Sequence, residues 1–315
     1  MSSDIRVFEV PEVLSGMRLD RALAELMGDV SRSRIQRWIG DGRVRLGADI
    51  STNQRASVTS GQRIEVDPVF EAVVEPAPEA IELDVVFEDS DCLVINKPAG
   101  LVVHPGAGQA RGTLQNALLH LDPALDRLPR AGLVHRLDKL TSGLLVVARN
   151  PASYHALSSA MQAREVHRSY QALVWGRVIA GATIEAPLGR HPTDRTRFAI
   201  RRDGRQAVTH YRVNARWAYH SLLDVRLETG RTHQIRVHLQ SVGFPLVGDP
   251  QYGRRGSGLA GALPELQAAL TGFRRQALHA RKLGFSHPTT GEQIELTADL
   301  PADLQQLIAA LGAPE

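Results

Sequence analysis

A carboxylate next to a buried strand is the most reactive arrangement this sequence offers. The segment Leu133-Val134-His135-Arg136-Leu137-Asp138-Lys139-Leu140-Thr141-Ser142-Gly143 runs straight into the apolar stretch Leu144-Leu145-Val146-Val147-Ala148. A charged segment that ends in Thr-Ser-Gly and abuts such a strand puts the Asp138 carboxylate at the rim of a core, where reactive groups are held. There it can serve as a nucleophile or a base. An ordinary loop ion pair between Arg136 and Asp138 explains the same residues equally well.

A second cluster, residues 227–239 (LETGRTHQIRVHL), reads as a strand, a glycine turn and a helix start. Thr232 is the candidate N-cap, with Ile235, Leu239 and Val242 on the buried side. Arg231 then lies at the turn, where the helix N-terminus favours an anionic partner. His233 and His238 are five positions apart and point about 140° away from each other on a helix, so they do not make a zinc pair. In the third cluster, residues 164–174 (REVHRSYQALV), alternation aims Tyr170 inward; a plain core tyrosine is the bland alternative. VINKPAGLVVHPG (94–106) and GDPQYG (248–253) carry turn residues suited to rigid loops.

Two domains of unequal size fit 315 residues with 43% apolar content. Residues 1–16 read as an N-terminal extension, and residues 17–70 as a compact unit of two helices and short strands. Leu19, Leu23 and Leu26 share one helical face; Ile35, Trp38 and Ile39 share another, after Ser31 as N-cap. The second helix turns Arg32, Arg34 and Arg37 outward, a cationic face for phosphates. Residues 71–80 form an acidic, proline-bearing linker. Over 81–315, runs at 85–87, 92–95, 144–148, 170–178, 208–213 and 222–228 read as strands, with helical patterns at 114–120, 151–164, 232–242 and 264–271. Residues 254–262 read as a surface loop. The simplest assembly is α+β: a mixed, mostly antiparallel sheet with flanking helices behind a small α/β front domain.

Net charge is only +3, yet residues 190–216 hold eight Arg against two Asp. Such a stripe, Arg195 and Arg197 included, attracts phosphates. Cys92 stands alone, which excludes an internal disulfide and removes the thiolate clusters of zinc ribbons and iron–sulfur sites. The absence of a long apolar run and of a signal-like N-terminus argues for a cytoplasmic protein with no membrane association.

The order of INKPAGLVVHPG, HRLDKLTSG, HRSYQALV, TGRTHQIRVHL and GDPQYG resembles the RluA-type family of pseudouridine synthases, from about residue 80 onward. RHPT with RT at 190–196, AVTHY at 207–211 and QALHA at 276–280 extend the likeness; Leu140 departs from it, where a polar residue is expected. RLDRAL, SRSRIQRWI and DGRVRL resemble the S4 RNA-binding domain. The resemblance implies an isomerase that breaks the N-glycosidic bond of a uridine within RNA, turns the uracil and rejoins it through carbon. Nothing is oxidised, so neither cofactor nor metal is implied. Asp138 is then the catalytic carboxylate, Arg231 the cation that keeps it charged against burial, and Tyr170 the ring that stacks on uracil. Arg136 holds the flipped nucleotide. Ile235 walls the pocket, with His135 and Gln234 as further substrate contacts. The implied partner is large-subunit ribosomal RNA or the pre-50S particle, met by a monomer. Another ribosomal site, a tRNA, and a non-catalytic S4-containing assembly factor remain as alternatives. A glycosidase would ordinarily show two carboxylates where one is found.

Overall fold

The computed structural model describes residues 5–28, 30, 32–69, 76–106, 109–254, 259, 261 and 263–315. The chain separates into two units, Met1–Glu75 and Pro76–Glu315. The proposed Ser31 cap, part of the 71–80 linker and most of the 254–262 loop lie outside the described residues.

The front unit comprises β1 (Arg6–Glu9), α1 (Leu19–Met27), α2 (Arg32–Gly40), β2 (Val44–Leu46), β3 (Asp49–Ile50) and β4 (Arg63–Val66). Leu19, Leu23, Ile35, Trp38 and Ile39 pack with Val44, Ile64 and Val66 into one core. The helical spacing thus meets the alternating strand faces. β1 pairs antiparallel with β4, in a sheet ordered β1-β4-β2-β3. Residues 6–9, read from sequence as part of an extension, are therefore a strand of this unit.

The second unit holds β5 (Val85–Glu88), β6 (Cys92–Lys97), α3 (Leu114–Leu121), β7 (Ser142–Ala148), α4 (Pro151–Ala163), β8 (His167–Trp175), β9 (Ala182–Glu185), β10 (Leu188–Arg190), β11 (Phe198–Ile200), β12 (Val208–Arg216), β13 (His220–Leu227), α5 (Gln234–Ser241), α6 (Pro264–Gly272), β14 (Leu278–Ser286), β15 (Gln293–Thr297) and α7 (Ala302–Ala310). Nine of the described strands form a sheet ordered β5-β6-β7-β14-β8-β13-β12-β9, with β15 beside β14, and β10 and β11 pair separately. Its one parallel pairing, β7 with β14, sits at the centre, and the mostly antiparallel α+β reading is borne out. Every residue of β7 is buried, because this strand is covered on both faces. Gly143, at φ +114°, lets β7 approach β14 closely: a Cβ there would strike the Ala280 carbonyl.

Candidate active site

The loop bearing Asp138 is fixed from three sides. Before it, Arg130 and Ala131 occupy left-handed backbone at φ 55° and 52°, a strained approach of the kind found at functional sites. Beneath it lies Lys97, fully buried, whose ammonium donates to the carbonyls of Pro98 (2.7 Å), Leu101 (2.9 Å) and Lys139 (3.2 Å). Burial pulls its pKa down to about 7, against the pull of Asp138. After it, Gln276 Nε2 donates to Thr141 Oγ1 at 3.0 Å, and Arg275, itself bound to Asp303, reaches the Leu140 carbonyl. The carboxylate is thereby held in place by groups that are not themselves its ligands.

Asp138 opens onto a cavity of about 580 Å³ whose walls include Arg136, Arg168, Tyr170, Arg231, His233 and Ile235. Its side chain is 17% exposed, and Oδ2 accepts from Arg236 Nη1 at 3.3 Å. Sequence had suggested Arg231 as this cation. Instead, Arg231 Nε donates to the Gln206 carbonyl at 3.2 Å, and among the described residues it has no carboxylate partner. The physical reason is where the helix starts. Thr232 does not cap it; His233, at φ 58°, precedes α5. Arg236 then falls in the first turn and points inward, while Arg231 stays in the preceding turn.

Arg236 is gripped from behind. Its Nε and Nη2 make two bonds to Asp249, at 2.7 and 2.9 Å, and Nη2 also donates to Gln251. Its guanidinium carbon lies 4.8 Å from the centre of the Tyr252 ring. Burial works to raise the Asp249 carboxyl, but Arg236 and two backbone N–H groups outweigh it and hold the carboxyl below its ordinary value. Burial likewise opposes the charge on Arg236, and its two carboxylate partners outweigh that. A guanidinium fixed bidentately by one carboxylate and offered through its remaining nitrogen to a second is a rigid positive anchor.

The other expected residues divide by what they touch. Tyr170 is 5% exposed and sits opposite Val225 on β13. Burial, reinforced by Asp138 and opposed by Arg168, raises its hydroxyl pKa, so the ring is neutral. Ile235 is buried on the cavity wall, and Arg136 is exposed at its edge. Gln234 and His135 also line the cavity; the polar groups of Gln234 are turned to the protein, as is Nε2 of His135, while His135 Nδ1 is buried without a partner. Gln234 Oε1 accepts from Thr229 Oγ1 and the Arg231 amide, and its Nε2 donates to Val208 O and Thr209 Oγ1. That saturates the amide, and its work is to shape the 229–231 turn. His135 Nε2 accepts from the Val146 amide at 3.1 Å. Burial, then Arg168, drives its pKa down to about 3, which leaves a neutral ring with its proton on Nδ1.

Arg197 stacks over Tyr252 at 5.1 Å; Arg195 is exposed and offers its carbonyl to Arg190. Tyr252 joins these pieces. Its hydroxyl accepts from Phe198 N at 2.7 Å and lies 2.8 Å from His233 Nδ1. In the front unit, Arg32 is committed to the buried Asp20 and so is less available to RNA than the helical face suggested. Arg34 is half-buried and Arg37 exposed. Val242, placed by helical spacing on the buried side of α5, is 41% exposed, because the helix ends before it.

The residues missed from sequence are Lys97, Arg168, Arg236, Asp249 and Tyr252. Four of the five fall within segments whose local pattern had already singled them out as loop or helix; what was missing was the pairing. Among the described residues one group has metal-ligand types within reach of one another, Asp89, Cys92 and His287. It is already satisfied internally: Asp89 accepts the Cys92 and Asp91 amides and bonds His287 Nε2, whose Nδ1 accepts from the Thr290 amide. Burial, then Asp89 and Asp91, pushes the thiol up to about 12, so it is no thiolate ligand.

The site and its scaffold have known counterparts. Residues 91–241 match the RNA pseudouridylate synthase family, and residues 17–64 match the S4 domain. The chain is 50% identical over 311 residues to the ribosomal large subunit pseudouridine synthase D of Xanthomonas campestris pv. campestris, covering 99% of this chain and 94% of the relative. It is 49% identical over 304 residues to the protein of the same name from Yersinia pestis, covering 96% and 94%. Among solved structures, human RNA pseudouridylate synthase domain containing 1 superposes with a TM-score of 0.56 at 28% identity, covering 78% of this chain and 92% of that one. The chain belongs to the RNA pseudouridylate synthase family, enzymes that isomerise uridine within RNA, and carries an S4 domain in front.

Proposed function

We propose that this protein isomerises uridines of large-subunit ribosomal RNA, as its close relatives' names say of them, with Asp138 as the reacting carboxylate. One observation carries the reading: of the two carboxylates that line the cavity among the described residues, Glu228 is paired with Arg164 and His210, whereas Asp138 is held against a guanidinium that Asp249 fixes from behind. Arg236 favours the ionised form of Asp138, which is the form that attacks or accepts a proton. Tyr170 supplies a flat, uncharged face for the uracil, and Ile235 an apolar wall. The exposed Arg136 meets the backbone of the extruded nucleotide, and the S4 unit adds affinity through Arg34 and Arg37. The protein acts as a cytoplasmic monomer, and among the described residues no helix is long and apolar enough to cross a membrane.

Pseudouridine mapping of ribosomal RNA from cells with and without this protein tests the reading. Loss of one or more large-subunit pseudouridines is the expected result; an unchanged map, or losses confined to tRNA, sinks it. Purified protein is expected to keep full activity in EDTA provided the RNA remains folded, because each step runs on side chains.

A further inference from the structure

Arg168 precedes Tyr170 by two residues on β8, so the two side chains leave the same face of the strand. Both line the cavity. Arg168 is 6% exposed, its Nε is buried without a partner, and among the described residues no carboxylate pairs with it. Its neighbours around the cavity are occupied: Arg236 by Asp138 and Asp249, Arg164 by Glu228, Arg231 by the Gln206 carbonyl. A guanidinium taken out of water with no counter-charge is costly. Space is kept for it all the same, since a Cβ at Gly230 would come within 2.8 Å of Arg168 Nη1. Such a group is completed by a ligand.

Resting on the function proposed above, we infer that Arg168 donates to a carbonyl oxygen of the flipped uracil and stabilises the anion released when the glycosidic bond breaks. The base is favoured over a phosphate by depth. Arg130, Arg136 and Arg205 are exposed around the cavity and suit a backbone that stays outside, whereas Arg168 is buried beside the Tyr170 ring. When the N1–C1′ bond breaks, its electron pair stays with N1 and the charge spreads onto O2 and O4. When C5 bonds C1′, the ring returns a pair to that bond, C5 loses its proton and N1 gains one. Charge on the oxygens exists only between those steps, so a donor aimed there lowers the barrier more than it tightens binding.

Single-turnover rates at saturating enzyme, measured beside RNA dissociation constants on a large-subunit RNA fragment, test this. Arg168→Gln is expected to slow the N1–C1′ cleavage about 100-fold or more, with affinity changed less than about threefold. Arg168→Lys should recover part of the rate, and Gly230→Ala, which crowds the guanidinium and keeps its charge, should slow cleavage at an unchanged Tm. Replacing the target with 5-fluorouridine makes uracil a better leaving group, so the variant's deficit should shrink; a structural defect would slow both substrates alike. A wild-type rate with weakened, less salt-dependent binding makes Arg168 a phosphate contact and overturns the inference, as does an equal deficit on both substrates. Wild-type protein that forms no pseudouridine overturns the parent reading as well.

Discussion

Two carboxylates, one in each unit, sit among arginines and do opposite things. Asp20 has no exposed side-chain surface and accepts five hydrogen bonds, two from Arg18, two from Arg32 and one from Gln36 at 2.6 Å. Burial raises its pKa, but these donors more than compensate and bring it to about 2. Asp138 has one described side-chain donor, Arg236 at 3.3 Å, and keeps 17% of its side chain open to a cavity. A carboxylate closed off from solvent and held by five donors is a clamp. One that is positioned by its surroundings and left with free lone pairs can react.

The sharpest way to break that contrast is to neutralise each in turn. Asp138→Asn is expected to lower the single-turnover rate by about 10⁴-fold or more while shifting stability by under about 0.5 kcal/mol, read by pseudouridine yield and Tm. Retained activity would make Asp138 another clamp. Arg236→Gln comes next, because it strikes both roles. It leaves Asp249 buried without its partner, which costs about 3 kcal/mol, and removes the cation at Asp138, which slows the reaction by about 10²-fold. Lysine is not expected to rescue it, since one ammonium cannot hold both oxygens of Asp249 and also reach Asp138.

That Arg236, rather than Arg231, holds Asp138 shows where sequence stops. The place of Asp138 at a cavity was legible because a charged segment met the apolar run 144–148, and that of Tyr170 because alternation fixed its side of the strand. The cation was not, because its placement rested on a helix capped by Thr232 that buries a single stripe, Ile235, Leu239 and Val242. In fact Gln234 through Leu239 are all buried, and a helix enclosed on every side shows no stripe to read. β14 escaped notice for a related reason: a register shift between Ala280 and Lys282 breaks its alternation. Lys97 lay in a segment read as a turn. Two of the carbonyls around its ammonium, those of Pro98 and Leu101, are local, but nothing local says that the Lys139 carbonyl will close the cage.

Asp20 offers the next smaller effect, and in stability alone. Its pKa is depressed from 3.8 to about 2, so its contribution is complete above pH 4 and is lost as pH falls through 2, where the folded form also takes up the proton. Because Arg18 and Arg32 are 41% and 44% exposed, solvent screening cuts that contribution to about 1–2 kcal/mol. Asp20→Asn should cost about that much in the front unit's unfolding at pH 7, flatten its stability between pH 4 and 2, and leave the rate on bound RNA unchanged. A rate loss as deep as that of Asp138→Asn would erase the distinction between the two acids.

The smallest effect is expected at Arg231, which lines the same cavity yet is tied to a backbone carbonyl. Burial first, then Arg205 and Arg164, lower its pKa, the direction that an RNA phosphate beside it would oppose. Arg231→Gln should therefore weaken RNA binding by about 10-fold and reduce the salt dependence by about one counterion, with the single-turnover rate of bound RNA within about threefold of the parent. Arg236→Gln shows the reverse split. If Arg231→Gln instead depressed the rate as far as Arg236→Gln, the cation acting on Asp138 would have to be reassigned to Arg231, against the 3.3 Å contact that places it at Arg236.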